Sequence, residues 1–220
     1  MRLVAEPAPG ACCRALDSLF DGRMVRLDLR TYRSSGPSGT TRRLVEAIRA
    51  QGVDGATLLD IGGGVGAIQH ELLAAGVASA TSIDASRAYL AAAREEAERR
   101  GTADRLVQRH GDFVALAPEL APADVVTLER VVCCYPDVDA LVTASAALAV
   151  RLYGLVYPRP AWWTQLGGAA INLAMRIRRS GFRFFVHPED RVDALARAQG
   201  LTPLRVHRGL LWTVAIYRRG

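Results

Sequence analysis

The chain has 220 residues, of which 50% are hydrophobic, and a formal net charge of +6 from 28 basic and 22 acidic residues. This length suits one α/β domain with a packed core and leaves too little chain for two. No run of 18 or more apolar residues is present and the N-terminus lacks the apolar core of a signal peptide, so a cytoplasmic protein is expected. The basic residues concentrate in 23–43 and 176–183 rather than in one nucleic-acid-like run, and no nucleic-acid partner is expected.

Three segments precede the first predicted strand. Residues Cys13–Phe20 have the pattern of a short helix, and an irregular basic stretch continues from there to Gly36 and Pro37. Apolar residues then recur at helical spacing, which predicts a helix over Arg42–Gln51 that ends at Gly52.

A glycine-rich turn lies in the stretch Thr57–Gly66, TLLDIGGGVG. An apolar run of strand length ends at Asp60, the glycines follow, and a helix is predicted over Gly66–Ala75, with His70 at its surface or end. Glycines permit φ > 0 and close approach to a ligand, and the first N–H groups of the next helix are unpaired, so a nucleotide-like ligand is expected. An acid directly before the turn favours a cationic ligand over a dinucleotide.

The next predicted strand supplies another acid. The strand Ala80–Asp84 ends in a carboxylate roughly twenty residues beyond the turn, where such folds bind ribose hydroxyls. A long helix follows from Ser86 to Arg100, and its Glu95-Glu96 and Arg99-Arg100 run predicts a solvated face. A third strand is predicted over Arg105–Arg109.

Taken together, these motifs resemble those of the Rossmann-like (class I) S-adenosylmethionine-dependent methyltransferases. The first motif of that family, hydrophobic-hydrophobic-acid-x-Gly-x-Gly, fits Leu58–Gly66, and its second fits Asp84. The third, an acid that contacts the adenine amine beside an apolar residue, fits His110-Gly-Asp-Phe113. The resemblance covers residues 40–160. It implies a single domain over residues 1–220 with a doubly wound seven-stranded sheet, mostly parallel with an antiparallel C-terminal hairpin strand, and helices on both faces.

The resemblance also implies S-adenosylmethionine as the cofactor. The residues that would bind it are Asp60, Ile61, Gly62, Gly64, Gly66, Asp84, Ala85, Asp112, Phe113 and Glu129. In this family the segment before the first strand often covers the cofactor, so residues 1–40 would form an arm or lid with Arg30, Tyr32 and Arg33 over the site. An exposed arm is the alternative.

Acceptor identity is expected to depend on the second half of the chain. A buried parallel strand is predicted over Ala123–Glu129, a helix over Val138–Ala149 and a fifth strand over Arg151–Tyr157. Ligands of open α/β sheets bind beyond the carboxyl ends of such strands. The residues expected to face the transferred methyl group are therefore Glu129, Arg130, Cys133, Tyr135 and Pro136.

The four cysteines form two adjacent pairs, Cys12-Cys13 and Cys133-Cys134, without C-x-x-C spacing. Buried or half-buried thiols are predicted, with a disulfide or thiolate site between the pairs as the alternative. No metal site is expected.

An apolar helix headed by Trp162 and Trp163 is predicted from Pro160 to Arg179, and it is too short to span a bilayer. We expect residues 160–188 to form an inserted lid whose tryptophans contact a flat lipophilic substrate. The alternatives are a helix that lies on a membrane surface with its arginines at the headgroups, and a helix buried in a dimer or against the sheet.

The C-terminal third resembles, less specifically, the magnesium-protoporphyrin O-methyltransferases. After Phe182–Val186, a helix is predicted over Glu189–Gln199 and a closing hairpin over Thr202–His207 and Leu210–Tyr217. The likeness rests on the order of these elements behind the aromatic helix. The chain departs from that family at Gly63, where cysteine is common.

Methyl transfer requires above all that nucleophile and methyl group be held in line. An alcohol or phenol acceptor needs a base, whereas a carboxylate is already ionised at neutral pH. Only His110 and His187 of the four histidines are expected near the site, which favours a carboxylate or another acceptor that needs little activation. The candidate anion-binding residues are Arg30, Arg33, Arg130 and Arg176; the catalytic candidates are Tyr135, His187 and Glu129; and the substrate-binding candidates are Arg130, Tyr135, Tyr32, Trp162 and Trp163.

The predicted function is methyl transfer to a lipophilic, anionic small molecule, either a tetrapyrrole propionate or a secondary metabolite methylated at O, N or C. One alternative is an RNA or protein methyltransferase, but Glu129-Arg-Val-Val132 replaces the Asn-Pro-Pro-Tyr-type motif used for amide and amine acceptors. Another is a non-catalytic cofactor-binding domain, against which the acids Asp60, Asp84 and Asp112 argue. We expect a monomer or homodimer, with peripheral membrane contact as an open alternative.

Overall fold

The computed structural model describes residues 16–17, 19–20 and 22–220. Cys12 and Cys13 lie outside these residues, as does part of the helix predicted over Cys13–Phe20. The regular elements in chain order are α1 (Gly22–Ser35), α2 (Gly39–Arg49), β1 (Thr57–Ile61), α3 (Ala67–Ala74), β2 (Ser79–Asp84), α4 (Arg87–Arg99), β3 (Leu106–His110), α5 (Phe113–Leu116), β4 (Ala123–Glu129), α6 (Val138–Ala147), β5 (Ala149–Pro158), α7 (Trp162–Ile177), α8 (Glu189–Ala198), β6 (Leu201–Arg208) and β7 (Trp212–Arg219).

Seven strands form one sheet in the order β3-β2-β1-β4-β5-β7-β6. All are parallel except β7, which runs antiparallel to both β5 and β6. The predicted fold class is confirmed. Because the chain proceeds outward from β1 to β3 and then returns to β4 on the other side of β1, the strand order reverses between β1 and β4. Ligands of such sheets bind beyond the carboxyl ends of the strands at that point.

The two faces of the sheet carry separate apolar cores. Leu58 of β1 packs into one core with α2 and α3, and Leu59 packs into the other with α6 and α8. Val125 and Val126 of β4 divide in the same way. Successive side chains of a strand point to opposite faces, so these near-continuous apolar runs are the pattern of strands covered on both sides. Packing on both faces holds the central strands in place, and the candidate site lies at the carboxyl ends of these strands.

The basic stretch that follows residue 21 is a helix, and the prediction of an irregular segment was wrong. The 14 residues of α1 bury Val25, Leu29 and Tyr32. Val25 and Leu29 pack against Tyr89 and Ala92 of α4. These three buried positions follow the i, i+4, i+7 spacing of one helix face, and contact with α4 stabilises a helix that is otherwise polar.

The prediction of a solvated face on α4 was wrong for Glu96, whose side chain has no exposed surface. Its carboxylate accepts hydrogen bonds from Arg33 Nε at 2.8 Å, Arg99 Nε at 2.8 Å and Arg100 Nε at 2.7 Å. We call these four residues the Glu96 cluster. The bond from Arg99 is the main reason that the pKa of Glu96 lies below its usual range. Arg33 belongs to α1, so the cluster attaches α1 to α4.

Helix α7 packs on the body of the protein through one side. Asn172 accepts a hydrogen bond from the backbone N of Phe184 at 2.7 Å and donates one to its carbonyl at 2.8 Å. A Cβ on Gly168 would lie 3.0 Å from the Phe184 ring, so this glycine allows the close approach. Within the described part of the chain, no helix combines the length and apolar character needed to cross a bilayer.

Candidate cofactor and acceptor site

A cavity of about 740 Å³ opens at the carboxyl ends of the central strands. Its walls are the glycine-rich turn, the ends of β2 and β4, the segment around Tyr135, and the inner side of α1 with the residues that follow it. This volume is in the range of small-molecule sites, roughly 300–1,000 Å³. It lies where the strand order reverses, as the fold predicts.

The glycine-rich turn brings backbone to the cavity wall. Gly64 has φ +55°, a conformation that L side chains rarely adopt, and its N–H donates to Asp84 Oδ2 at 3.0 Å. A Cβ on Gly63 would lie 2.2 Å from Gln69 Nε2, so α3 leaves room only for glycine there. The turn therefore presents bare main chain to a ligand.

Asp84 closes this turn from the end of β2. One carboxylate oxygen accepts from Gly64 N and the other from Ser86 N at 2.8 Å. Burial raises the pKa of Asp84, and the two backbone donors counteract that rise. The carboxylate lines the cavity and has lone pairs left for hydroxyl donors, which suits a ribose.

Asp60 lies deeper, at the end of β1, and is 1% exposed. Its oxygens accept from Thr127 Oγ1 at 2.7 Å and from Gln69 Nε2 at 2.9 Å. Burial nevertheless raises the pKa of Asp60 to about 7. A cationic ligand in the cavity would favour the charged carboxylate, so this wall is matched to a positive group.

Glu129 and Arg130 form the wall at the end of β4. Glu129 Oε1 accepts from the hydroxyls of Thr41 at 2.7 Å and Thr40 at 3.1 Å. Arg130 has φ 59°, and its Nη2 donates to the hydroxyls of Ser38 at 3.1 Å and Thr40 at 2.9 Å. These contacts join the end of β4 to the start of α2.

The predicted adenine acid and the predicted base Tyr135 are bonded to each other. The Tyr135 hydroxyl lies 3.0 and 3.2 Å from the two oxygens of Asp112. Asp112 also accepts from Val114 N and so caps α5. His187 Nε2 lies 3.1 Å from the carbonyl oxygen of Tyr135, and its ring stacks on Phe185. His187 therefore approaches Tyr135 through the backbone rather than through the hydroxyl.

The second cysteine pair lies beside this wall. Cys133 is buried, and its Sγ is 3.2 Å from the carbonyl of Arg130 and 3.6 Å from Cys134 Sγ. Cys134 lines the cavity, and the hydrogen bond with Cys133, together with burial, raises its pKa. The Cys134 side chain thus contributes a neutral, polarisable surface at neutral pH.

Helix α1 covers the cavity from the side of α3 and α4. Asp28 and Tyr32 line it; Asp28 accepts from the Tyr89 hydroxyl at 2.6 Å, and Tyr32 donates to Glu71 at 2.8 Å. The guanidinium of Arg100 lies 5.0 Å above the Tyr32 ring. Helix α1 therefore forms one wall of the cavity, with Tyr32 but neither Arg30 nor Arg33 in the lining.

His70 is buried, so the prediction of a surface position was wrong. It is 1% exposed, and its ring stacks on Tyr32 at 6.1 Å between centroids. Burial, aided by the charge of Arg100, lowers the pKa of His70 to about 4. The histidine lies on the face of α3 that α1 covers, and its burial was not predicted because α1 itself was not predicted.

The structure brings about half of the predicted site residues to the cavity. Those that line it are Tyr32, Asp60, Ile61, Gly62, Gly64, Asp84, Ala85, Phe113, Glu129, Arg130 and Tyr135. Those placed outside its lining are Arg30, Arg33, Gly66, His110, Asp112, Cys133, Pro136, Trp162, Trp163, Arg176 and His187. Sequence reasoning missed Asp28, Thr41, Arg42 and Tyr89, which line the cavity but follow no motif.

Comparisons with known proteins agree with this geometry. Residues 58–151 match the model of a methyltransferase domain family. Over 104 residues the chain is 39% identical to the release factor glutamine methyltransferase of Cereibacter sphaeroides, an alignment that covers 47% of this chain and 36% of that protein. The chain thus matches only about a third of the length of that curated relative.

Two solved structures are similar over nearly the whole chain. The magnesium protoporphyrin IX methyltransferase of Synechocystis PCC 6803, with bound S-adenosylhomocysteine, has a TM-score of 0.73 at 18% identity and covers 95% of this chain and 100% of its own. The 1,6-didemethyltoxoflavin-N1-methyltransferase of Burkholderia thailandensis, also with S-adenosylhomocysteine, has a TM-score of 0.68 at 17% identity and covers 99% and 93%. These likenesses establish the fold.

Proposed function

We propose that this chain, a methyltransferase with the class I, S-adenosylmethionine-dependent fold, transfers a methyl group to an anionic group of a lipophilic small molecule. The observation that carries the proposal is the lining of the cavity. Among the described residues that form it there is no histidine, and each of the four carboxylates already accepts a hydrogen bond inside the protein. An acceptor that is ionised before it binds needs no base from this wall.

The four carboxylates have other tasks. Asp28 is bonded to Tyr89, and Asp84 is bonded to two backbone N–H groups. Asp60 is buried beneath the turn, and Glu129 is held by two threonine hydroxyls. Asp84, with the bare main chain at Gly64, fits the ribose of S-adenosylmethionine, and Asp60 fits its positive charge.

Two guanidinium groups support an anionic acceptor. Arg42 and Arg130 both line the cavity. The Arg130 side chain is 44% exposed, donates to neutral hydroxyls, and has its Nε 3.9 Å from the Glu129 carboxylate. Such a partly exposed cation can bind a carboxylate with charge-assisted hydrogen bonds. The rest of the lining is largely apolar, which suits a flat hydrophobic body.

The chemical step requires mainly that the protein position the two reactants. When bound, S-adenosylmethionine supplies an electrophilic methyl group on a sulfonium; an acceptor oxygen forms the new C–O bond as the C–S bond breaks, and a neutral thioether leaves. The residues at the ends of β1 and β2 hold one reactant, and those at the end of β4 hold the other. Holding both in line within a water-poor cavity supplies most of the acceleration.

The test is transfer of labelled methyl to a panel of acceptors. The first acceptor to test is magnesium protoporphyrin IX, after which the similar Synechocystis methyltransferase is named. It is a flat apolar ring with carboxylate side chains. Metal-free protoporphyrin, aromatic carboxylic acids and phenols complete the panel. Labelled product that is released by mild base identifies a methyl ester. Transfer only to neutral phenols or amines would contradict the proposal.

A substitution of Arg130 tests whether this residue binds the acceptor. Arg130→Gln should raise KM for an anionic acceptor by roughly 10–100-fold, the loss of a charged hydrogen bond, with the affinity for S-adenosylmethionine unchanged. Arg205→Gln, an exposed arginine on β6, is the matched control. An equal effect of both variants would remove Arg130 from acceptor binding.

A protein acceptor is the second candidate, because the curated relative that matches is a release factor glutamine methyltransferase. Glu129-Arg-Val-Val132 stands here in place of an Asn-Pro-Pro-Tyr-type motif. Incubation with labelled cofactor and a release factor tests this candidate. Label in that protein, and none in the small molecules, would favour it.

A further inference from the structure

Large apolar side chains are exposed along one side of α7. Trp162 is 72% exposed, Leu166 64%, Leu173 60% and Ile177 74%. We call these four residues the α7 outer face. Their spacing of four, seven and four residues places them on one stripe of the helix. In a surface helix of a globular protein such a stripe normally faces the core, so its exposure here requires an explanation.

The opposite side of α7 is the one that contacts the protein. Thr164 and Gly168 are buried, and Asn172 is bonded to Phe184. The helix is therefore fixed, with its outer face turned away from the body. Rotation of α7 to bury Leu166 and Leu173 would break both Asn172 bonds and remove Gly168 from the Phe184 ring.

The apolar surface continues onto the turn between β6 and β7. Trp163 Nε1 donates to the carbonyl of Leu210 at 3.0 Å, which holds this turn beside the start of α7. Leu210 is 72% exposed and Leu211 is 52% exposed. The helix is about 24 Å long, and the exposed leucines of the turn lie beside its start.

The charged residues of the segment that carries the α7 outer face are all basic. Residues 159–188 contain five arginines, Arg159, Arg176, Arg178, Arg179 and Arg183, and no aspartate or glutamate. Four of the five lie at the C-terminal end of α7 or just beyond it. A second copy of this chain would bring apolar residues to the outer face but, from this segment, no carboxylate for the arginines. A surface that is apolar inside and anionic outside matches both features.

We propose that the α7 outer face, with Leu210 and Leu211, docks on the surface of a bilayer that contains anionic lipid. The apolar side chains enter the boundary between headgroups and acyl chains, and the arginines contact lipid phosphates. The helix lies in the plane of the membrane and does not cross it. This inference does not depend on which acceptor the enzyme methylates.

Flotation with unilamellar vesicles tests the proposal. The full chain is mixed with vesicles of phosphatidylcholine alone or with phosphatidylglycerol added, and the bound fraction is measured. We expect at least ~10-fold stronger binding to the anionic vesicles, decreasing as salt is raised. Leu166→Ser with Leu173→Ser should reduce that binding at least ~10-fold. Arg178→Glu with Arg179→Glu should abolish the preference for anionic lipid.

The matched control is Val107→Ser with Val150→Ser, which changes two exposed apolar residues of β3 and β5. It should bind vesicles as the unchanged protein does. Thermal unfolding and S-adenosylmethionine binding of every variant establish that it is folded. Three results would overturn the proposal: no flotation of the unchanged protein, equal binding to both kinds of vesicle, or no effect of the leucine substitutions. A dimer in sedimentation that the leucine variant dissociates, without vesicle binding, would assign the face to a second copy.

Discussion

Replacing Asp60 by asparagine should flatten the dependence of the protein's stability on pH. The Asp60 carboxyl is 1% exposed, and burial raises its pKa to about 7. Asparagine has nearly the same shape, retains an oxygen that can accept from Thr127, and does not titrate. The difference between the two proteins therefore reports the ionisation of this one buried group.

The sign and size of the effect follow from the pKa. Because the folded-state pKa lies above the ordinary value of 3.8, the folded protein holds a proton that the unfolded chain releases. The resulting stabilisation is complete below the unfolded pKa and is lost as the pH rises through about 7. Each pH unit between the two pKa values changes the free energy of unfolding by about 1.4 kcal/mol. Between about pH 5 and about pH 8, Asp60 should cost the wild type about 2–3 kcal/mol.

Urea unfolding at several values in that pH range measures this difference. His70, whose pKa is lowered to about 4, affects stability with the opposite sign, but it is present in both proteins and cancels in the difference. Asp104→Asn, at an exposed position, is the control. If the difference curve for Asp60→Asn depends on pH no more steeply than that of the control, the carboxyl of Asp60 ionises normally and the account of its burial is wrong.

Two further substitutions test the cavity walls. Asp84→Ala should weaken S-adenosylmethionine binding by roughly 1–3 kcal/mol, since hydrogen bonds to a charged group are lost; calorimetry beside Asp104→Ala checks this, and unchanged affinity would remove Asp84 from the ribose site. Glu96→Gln should destabilise the fold by about 1.5–3 kcal/mol and weaken cofactor binding several-fold, because the attachment of α1 to α4 is weakened. Glu98→Gln, exposed on the same helix, should change neither quantity, and a Glu96 variant that behaves like it would show that the cluster does not hold α1.

Much of the fold could be predicted because its signals are local. The run ending at Asp60 and the glycines after it lie next to each other in sequence, and strand, turn and helix follow from them directly. Helix α1 shows the limit of this reasoning. Its buried residues Val25, Leu29 and Tyr32 do have helical spacing, but they stand in a polar, basic segment. The helix is stabilised because these residues pack against α4. The helix propensity of the segment does not reveal that contact, so the helix was not predicted.

Site residues could be predicted where a motif residue stands at the end of a predicted strand. Asp84 and Glu129 were found in this way, since each ends a parallel strand. Contacts between distant segments were not: Arg33 and Glu96 are 63 residues apart, and Thr41 and Glu129 are 88 apart. The roles predicted for Trp162 and His187 were inferred from their chemistry and their position in the chain, and the structure places both outside the cavity lining.

The antiparallel strand β7 has a consequence for the order in which the protein folds. It lies between β5 and β6, although β6 precedes it in the chain. β6 joins the sheet through its hydrogen bonds to β7, and the buried Tyr217 of β7 contacts Tyr153 of β5. During synthesis, β6 leaves the ribosome before the strand it pairs with, so that edge of the sheet must wait for β7. The parallel half around the glycine-rich turn is complete much earlier and can assemble first.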